Sequence, residues 1–295
     1  TSSRTAPLKG SGMQTQPADA GTGRLHGKSV LVTGSTKGFG AAMAERFAAE
    51  GASVVLTGRS ETQGRQIEQQ ITDKGGQARF IRADVTDEAS VRELIAAAAA
   101  PTGRLDSLVN NAMAMDQVGS SERPIADMDT DGFGRIIQVG IYGLFWACKY
   151  AIPQLLKSSG GSIVNISSLA AVAGIASLPA YSVCKGAMGA LTRQMATDYG
   201  PQGLRVNTMI CGLVLGDALA GDVAAHPVAG PRIAQAQLTR YGNLNDIAAM
   251  ATYLISDESG FVNGAELRID GGWTSTAQFP RLSEMVSGAD TPSSR

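Results

Sequence analysis

The 295-residue sequence predicts an α/β fold, in which a single doubly wound parallel sheet of seven strands is flanked by helices. Two observations predict this class. Short apolar runs rich in Val, Ile and Leu alternate with longer helical patterns from Lys28 onward, as is typical of strands buried on both faces of a parallel sheet. The first apolar run, Val30 to Val32, is followed directly by a glycine-rich turn and a helical segment. That order of strand, turn and helix is typical of Rossmann-type folds.

The elements follow one another regularly along the chain. The predicted strands cover residues 30–32, 53–57, 78–82, 105–110, 161–167, 204–210 and 265–269, and the predicted helices cover 41–49, 62–74, 88–100, 133–157, 181–199 and 245–255. Residues 113–129 are predicted to form a long loop, and residues 213–237 are punctuated by Gly, Ala and Pro. Residues 26–273 then form one domain, preceded by a disordered leader at 1–25 and followed by a loose C-terminal tail at 274–295.

The composition argues against several classes of function. A formal net charge of −1, without a basic run, gives no electrostatic case for binding nucleic acid or an anionic membrane. No apolar segment is expected to reach the length that spans a bilayer, and residues 1–25 lack the apolar core of a signal peptide. The three Cys and two His are too widely spaced to predict a disulfide framework or a metal site. Buried free thiols in a reducing cytoplasm are the interpretation that remains, so the predicted location is cytoplasmic.

Three glycines, Gly34, Gly38 and Gly40, lie between the first strand and the first helix. Without a Cβ, glycine lets the backbone approach a bound group closely. The helix that follows presents free N–H donors and the positive end of its dipole, which suits a pyrophosphate. The turn therefore predicts a nucleotide site. The alternative is a merely structural turn, since the chain contains 36 glycines.

The end of the second strand indicates which nucleotide is bound. Folds that bind NAD usually carry an acidic residue there, which hydrogen-bonds the ribose 2′-OH. This sequence has Gly58 and Arg59 instead, and Lys37 in the glycine turn can reach the same region. Two cations and no acid predict the 2′-phosphate of NADP, against the alternative of two solvated surface cations. Asp84 and Val85, after the third strand, fit contacts with the adenine edge.

A candidate acid–base pair opens the helix after the fifth strand. Tyr181 and Lys185 are four residues apart and so share one helix face, while the strand before them ends in Ser167 and Ser168. An ammonium beside a phenol lowers the phenol pKa from about 10 toward the working pH, as a general acid or base for an alcohol oxygen requires. Ser168 is suited to hold and polarise a substrate carbonyl.

Taken together, these motifs resemble a classical short-chain dehydrogenase/reductase of the 3-oxoacyl-[acyl-carrier-protein] reductase-like type. The resemblance covers about residues 25–273 and includes the turn from Thr33 to Gly40, the Asn110-Asn111-Ala112 run and the Asp270-Gly271-Gly272 run. Ser168 lies thirteen residues before Tyr181, as in the family, which selects it over Ser167.

The resemblance implies roles for individual residues. Tyr181 would be the catalytic acid or base, Lys185 would lower its pKa and hold the nicotinamide ribose, and Ser168 would bind the reacting oxygen. It further implies a homotetramer, with a homodimer as the alternative. The residues implied to bind NADP(H) are Gly34, Ser35, Lys37, Gly38, Phe39, Gly40, Arg59, Asp84, Val85, Asn111, Ala112, Tyr181, Lys185, Gly212 and Val214.

Four positions depart from the family pattern. Met113 replaces the glycine of an Asn-Asn-Ala-Gly motif, Cys211 replaces the proline of a Pro-Gly pair, and Gly216 replaces a threonine. Gly140 stands where the family has a catalytic asparagine, whose side chain helps to hold a water in a proton relay to Lys185. A water could fill the space that this asparagine would leave.

These observations predict an NADP(H)-dependent oxidoreductase that interconverts a ketone and a secondary alcohol. The alternatives are a catalytically weakened NADP sensor, because of Gly140, and a lyase or epimerase built on the same scaffold. The segments around the site carry many apolar and few charged residues, which indicates a neutral, largely apolar small-molecule substrate. Thioesters, steroids, cyclic ketones and sugars all remain open.

Overall fold

The computed structural model describes residues 23–158, 160–214, 225–228, 230–231, 233 and 240–275. Seven parallel strands form its centre. They are β1 Ser29–Val32, β2 Ser53–Gly58, β3 Gln77–Arg82, β4 Ser107–Asn110, β5 Ser162–Ser168, β6 Arg205–Cys211 and β7 Glu266–Ile269. Their order across the sheet is β3-β2-β1-β4-β5-β6-β7, and every pair is parallel. The predicted doubly wound, seven-stranded α/β fold is confirmed.

Helices cover both faces of the sheet. They are α1 Gly38–Ala49, α2 Glu61–Asp73, α3 Glu88–Ala99, α4 Met115–Ser121, α5 Thr130–Ile137, α6 Leu144–Leu155, α7 Pro179–Tyr199 and α8 Leu244–Ile255. One face carries α1 and α8 over a cluster that includes Phe47 and Leu254. The opposite face carries α3, α6 and part of α7 over a second cluster that includes Leu94 and Leu155.

The loop predicted at residues 113–129 is wrong in part, because it contains α4 and a 3-10 turn at Ile125–Asp127. No residue of α4 is buried, so the sequence offers no apolar periodicity for this helix. Its N-cap, Ala114, makes no side-chain hydrogen bond to the helix, so the usual capping signal is missing as well.

The long helix predicted at residues 133–157 is interrupted. A π-helical turn, Gln138–Gly143, separates α5 from α6. Helix α5 also begins earlier than predicted, since the Asp129 carboxylate accepts a hydrogen bond from the Gly132 amide at 2.8 Å and caps the helix. Single π-turns within α-helices often mark functional sites.

The strand order reverses beside β1, whose neighbours are β2 and β4. Chain connections leave in opposite directions on either side of this point, so a crevice opens outside the carboxyl ends of the strands. The turns that follow β1, β4 and β5 all lie at that edge. The fold thus brings the predicted nucleotide turn and the predicted acid–base pair to the same crevice.

A chain of buried polar side chains links the sheet to α7. Asn110 of β4 donates to Asn165 of β5 at 2.8 Å, and Asn165 donates to Thr192 of α7 at 2.8 Å. The Thr192 hydroxyl lies 2.7 Å from that of Thr208 on β6. These four residues are each at most 4 % exposed. Because buried polar groups are costly unless they are paired, this polar ladder fixes α7 in one position against three strands.

Residues just outside the predicted domain, 26–273, contact the fold at both ends. Leu25, assigned to the leader, is fully buried in the core, and the Arg24 amide donates to the Glu50 carboxylate at 3.1 Å. At the other end, Thr274 is hydrogen-bonded to Asp270 within the turn Trp273–Ser275. The remainder of the predicted leader and tail lies outside the described residues.

One helical stretch, Thr130–Leu155, is long and apolar enough to cross a bilayer by length and composition. The expectation that no apolar segment reaches this length is therefore wrong. Within its most apolar window, 44 % of the residues are buried inside the fold, and Ala147, Ala151 and Leu155 pack in the core. Packing of α6 against the sheet accounts for its apolar composition.

Candidate active site

The glycine turn after β1 leaves no room for side chains at two of its positions. Gly34 has a φ of +63°, and a Cβ there would lie 2.8 Å from the Cα of Ala112. A Cβ at Gly40 would lie 2.4 Å from the Gly34 carbonyl oxygen. Glycine is needed at both positions, since contacts below 3.0 Å are essentially never made by a real Cβ.

Thr33 and Asn111 join this turn to the end of β4. The Thr33 hydroxyl accepts hydrogen bonds from the amides of Asn111 at 3.0 Å and Ala112 at 3.1 Å. The Asn111 side chain donates to the carbonyls of Thr33 and Gly34 at 3.0 and 2.9 Å. Sequence reasoning did not single out Thr33 as a site residue, although it forms the centre of this junction.

Ser35 lies in the turn with its side chain directed into the protein. Its hydroxyl donates to the Val32 carbonyl and accepts from the Thr57 amide, each at 2.9 Å, and the residue is fully buried. Phe39 is partly buried and packs against the core on the α1 face. The side chains of Ser35 and Phe39 therefore pack into the protein and support the turn. Only the main chain of these two residues can face the crevice.

The cation at the end of β2 has a partner that the sequence did not indicate. Arg59 Nη2 lies 3.6 Å from Asp116 Oδ2, with the two side chains 68 % and 58 % exposed. Asp116 belongs to α4, which sequence analysis had taken for loop. Burial opposes ionisation of Asp116, but hydrogen bonds from main-chain amides and the Arg59 charge outweigh it, so the Asp116 pKa is lowered. Lys37 is exposed at the N-cap of α1.

Asp84 and Val85 lie in the turn after β3, as predicted from their position. Asp84 Oδ1 accepts hydrogen bonds from the Thr86 amide at 2.9 Å and the Thr86 hydroxyl at 2.8 Å. The Val85 carbonyl faces the π-helical turn, where a Cβ at Gly143 would lie only 2.9 Å from it. One carboxylate oxygen of Asp84 is thus used to hold the local turn.

Ser168, Tyr181 and Lys185 are brought together at the end of β5. Ser168 is the last residue of that strand, and its side chain is hydrogen-bonded to the Tyr181 phenol. The Lys185 ammonium lies 5.5 Å from the Tyr181 ring centroid and donates to the Ile166 carbonyl at 2.7 Å. Ser167 faces the other way, with its hydroxyl donating to the Lys185 carbonyl at 2.9 Å.

Burial dominates the ionisation of Tyr181 and Lys185. It raises the Tyr181 pKa above its ordinary value, opposed by the hydrogen bond to Ser168. It also lowers the Lys185 pKa to about 8. The expected lowering of the Tyr181 pKa by the Lys185 ammonium is therefore wrong for this structure, because burial raises that pKa. Desolvation penalises the charged form of both groups and drives both toward neutrality.

At Gly140, where the family has a catalytic asparagine, neighbouring side chains fill the space of the missing side chain. Gly140 lies in the π-helical turn, and a Cβ there would be 2.4 Å from Cys184 Sγ and 3.3 Å from Met113 Sδ. Two departures from the family pattern, Gly140 and Met113, thus meet at the Cys184 thiol, which itself donates to the Ile136 carbonyl at 3.7 Å. The suggestion that a water replaces the asparagine side chain is not supported, because sulfur atoms occupy that space.

The end of β6 completes the crevice. A Cβ at Gly212 would lie 2.6 Å from the Asp270 Cα, and Val214 pairs with Gly242 in an isolated bridge. Hydrogen bonds from Thr274 and Gly272 outweigh burial and lower the Asp270 pKa. Gly216, the third residue that departs from the family, and most of residues 213–237 lie outside the described residues.

The three cysteines are not joined by disulfides, and among the described residues none belongs to a group of metal-ligating side chains. Cys148, Cys184 and Cys211 are buried free thiols, as predicted, and burial raises the pKa of each to about 12. In the part of the chain that the structure describes, no group of three or more His, Cys, Asp or Glu side chains could hold a metal ion.

Comparison with known proteins identifies relatives along most of the chain. Residues 34–274 match the family profile described as enoyl-(acyl carrier protein) reductase. The chain is 38% identical over 251 residues to a 2,5-dichloro-2,5-cyclohexadiene-1,4-diol dehydrogenase of Sphingobium indicum, covering 85% of this chain and 98% of the relative.

Solved structures give the same result. A short-chain type dehydrogenase/reductase from Mycobacterium ulcerans superposes with a TM-score of 0.78 at 29% identity, covering 90% of this chain and 95% of that one. A gluconate 5-dehydrogenase from Burkholderia cenocepacia, in complex with NADP and tartrate, superposes with a TM-score of 0.78 at 27% identity, covering 86% and 98%. With its parallel sheet, glycine turn and Ser–Tyr–Lys group, the chain belongs to the classical short-chain dehydrogenase/reductase family, whose members here are oxidoreductases that act on alcohols and ketones.

Proposed function

We propose that this protein is an NADP(H)-dependent oxidoreductase that interconverts a neutral, apolar ketone and its secondary alcohol. The observation that carries the proposal is the convergence of Ser168, Tyr181 and Lys185 beside the glycine turn. When bound, the cofactor supplies hydride transfer at its nicotinamide ring. The chain itself holds the substrate oxygen and moves its proton.

Each member of the group has a role that follows from its position. In the reducing direction, the Tyr181 phenol donates a proton to the carbonyl oxygen, which Ser168 orients through a second hydrogen bond. The buried Lys185 ammonium lies close enough to stabilise negative charge on the phenol oxygen. With a pKa of about 8, Lys185 is mostly protonated near neutral pH and can also release and take up a proton there.

The cofactor preference rests on the charge at the end of β2. Arg59 and Lys37 are exposed at the crevice and suit a 2′-phosphate, and the Burkholderia relative was solved with NADP. Main-chain amides at the start of α1 would hold the pyrophosphate, because Gly34 and Gly40 leave the backbone uncovered.

The substrate class is supported by the apolar wall of the crevice. Met115, Val172 and Ile175 are each more than 40 % exposed near the site, and Met113 lies beside Gly140. A cyclic secondary alcohol matches this surface, and the Sphingobium relative is named for a cyclic diol. Among the substrates that the sequence left open, we favour cyclic alcohols and ketones of this kind.

A homotetramer is the proposed assembly. Large apolar side chains are exposed on α6, on α7 and near β7, and such surfaces are commonly covered by association. They include Tyr142 of the adjoining π-helical turn, Phe145, Val183 and the fully exposed Phe261. Light scattering coupled to size exclusion tests this proposal, and a monomeric mass at micromolar concentration would contradict it.

The decisive experiment is an activity screen of cyclic and linear ketones and secondary alcohols, with NADP(H) and NAD(H) side by side. We expect turnover that prefers NADP(H). In the Tyr181→Phe variant, loss of the general acid should lower kcat by about 10²- to 10⁴-fold while the cofactor still binds.

Each contrary result has a specific meaning. A preference for NAD would contradict the assignment of Arg59 and Lys37. Full turnover by Tyr181→Phe would show that the acid has been misassigned. NADPH binding without turnover on any substrate would favour the sensor function, which Gly140 first suggested.

A further inference from the structure

The N-terminus of α7 lacks a cap from its own sequence. Its N-cap residue, Leu178, makes no side-chain hydrogen bond to the helix, and Pro179 at the first position has no N–H. The next two amides, those of Ala180 and Tyr181, need a partner from elsewhere, because the first amides of any helix have no intrahelical acceptor. Tyr181 therefore lies in the part of a helix that frays most readily.

Glu122, far away in sequence, supplies that partner. Its Oε1 accepts a hydrogen bond from the Tyr181 amide at 2.6 Å, and its Oε2 accepts from the Ala180 amide at 3.4 Å. Glu122 is only 6 % exposed, which is unusual for a glutamate. A buried carboxylate is stable only when hydrogen-bonded, and the positive end of the helix dipole favours it at this place.

The same residue belongs to the substrate side of the crevice. Glu122 is the residue that directly follows α4, the helix that carries Met115 and Asp116. Val118 of α4 packs against the cluster that contains Cys184 of α7, and Glu122 adds hydrogen bonds from the same segment to the first turn of that helix. The Glu122 charge also acts on the neighbouring residue Cys184 of α7, whose pKa is raised mainly by burial and further by Glu122.

We propose that Glu122 is a positioning residue for catalysis. This proposal rests on the proposed oxidoreductase function. Glu122 anchors the main chain of Tyr181 so that the phenol contacts Ser168. It also couples the position of α4 to the position of the Tyr181 phenol. The bond to the Tyr181 amide fixes the first turn of α7 at the residue whose side chain carries the proton. A misplacement of about 1 Å at such a centre costs roughly 10²-fold in rate.

The test compares Glu122→Ala and Glu122→Gln with a matched control, Asp87→Asn. Asp87 caps α3 by accepting from the Ala89 amide at 2.9 Å. Like Glu122→Gln, the Asp87→Asn substitution removes the charge of a capping carboxylate and keeps an acceptor oxygen, but at a helix that carries no catalytic residue. We expect Glu122→Ala to lower kcat about 10- to 100-fold, with the NADPH dissociation constant changed less than twofold.

Glu122→Gln keeps an acceptor oxygen and loses the charge. It should restore kcat to within about threefold of the wild type while moving the midpoint of the pH–rate profile. Asp87→Asn should leave kcat and the pH profile unchanged. A Glu122→Ala protein that is folded and retains wild-type kcat and pH profile would overturn the proposal, as would an equal loss in Asp87→Asn.

A second readout separates this proposal from the proposed function. With ¹³Cζ-labelled tyrosine, the Tyr181 NMR signal is assigned by its absence in Tyr181→Phe. Glu122→Ala should shift or broaden that signal, and Glu122→Gln should restore it, whether or not any substrate has been found. An unchanged signal in Glu122→Ala would refute positioning even if the oxidoreductase function held.

Discussion

The two ends of the crevice are built on opposite principles. At the nucleotide end, glycines expose main chain, and the charged side chains, Arg59 and Lys37, stand in solvent. At the acid–base end, Lys185 is buried and the wall around Gly140 is closed by sulfur atoms. The first end depends on exposed charge, which solvent screens, and the second on desolvation and packing. The effects of mutations at the two ends should therefore differ both in type and in magnitude.

The largest effect is expected for Lys185→Met, at the buried end. Because burial lowers the Lys185 pKa from 10.5 to about 8, the folded state holds fewer protons than the unfolded state between these values. Wild-type stability therefore rises with pH across this window. At pH 7, removing the buried charge should raise the free energy of unfolding of the variant by about 3 kcal/mol. Leaving the Ile166 carbonyl without its hydrogen bond should lower it by about 1 kcal/mol.

Urea unfolding at pH 7 and pH 9 checks this prediction. The stability advantage of Lys185→Met should shrink by about 1 kcal/mol between the two pH values. An advantage that does not change with pH would mean that Lys185 titrates normally in the folded protein. Activity should be lost at both pH values, since the ammonium is removed.

The next effect concerns the packing around Gly140. Gly140→Asn, which restores the family residue, should destabilise the fold by about 1–3 kcal/mol, because its Cβ would overlap Cys184. Combining it with Cys184→Ala should recover part of that loss, because alanine removes the sulfur atom but keeps the Cβ, which would lie 2.8 Å from the new Cβ. Thermal unfolding of the two single variants and the double variant gives the coupling. Additive effects would show that the two residues do not share one space.

At the exposed end, Arg59→Ala should raise the KM for NADPH about 10- to 100-fold and leave that for NADH unchanged, since a charge-assisted phosphate contact is lost. Arg65→Ala is a suitable control, because Arg65 is an exposed arginine on neighbouring α2 that pairs with Glu61 and Glu68. An equal rise in KM for both cofactors would place Arg59 outside the 2′-phosphate site.

The smallest effect is expected for Asp116→Asn. Removing the carboxylate 3.6 Å from Arg59 should lower the KM for NADPH about two- to fivefold, because exposed ion pairs are worth less than about 1 kcal/mol. The gain should disappear in high salt and in an Arg59→Ala background. A gain that persists without Arg59 would contradict this pairing.

The same contrast explains what could be predicted from the sequence. The parallel α/β class and the glycine turn follow from local patterns, and the structure contains both. The Ser–Tyr–Lys group follows from short spacings, and the structure brings its three residues together. Glu122 and Cys184 could not be found in this way, because their partners lie 59 and 44 residues distant, as the pairs with Tyr181 and Gly140 show. Asp116 was missed because α4 has no buried residue and so no periodic pattern. Burial itself, which reverses the expected Tyr181 pKa shift, is a tertiary property.

The polar ladder through Asn165 and Thr192 has a consequence for the motions of this protein. Thr192 lies seven residues, about two helical turns, after Lys185, so the polar ladder ties the middle of α7 to the strands. Amide hydrogens there are expected to exchange only on global unfolding. Helix α4 has no buried residue and should exchange on much faster timescales. We therefore expect ligands to enter the crevice through local opening of α4, while α7 keeps its position. Glu122, through its hydrogen bond to the Tyr181 amide, connects the fast-exchanging segment of α4 to the slowly exchanging helix α7.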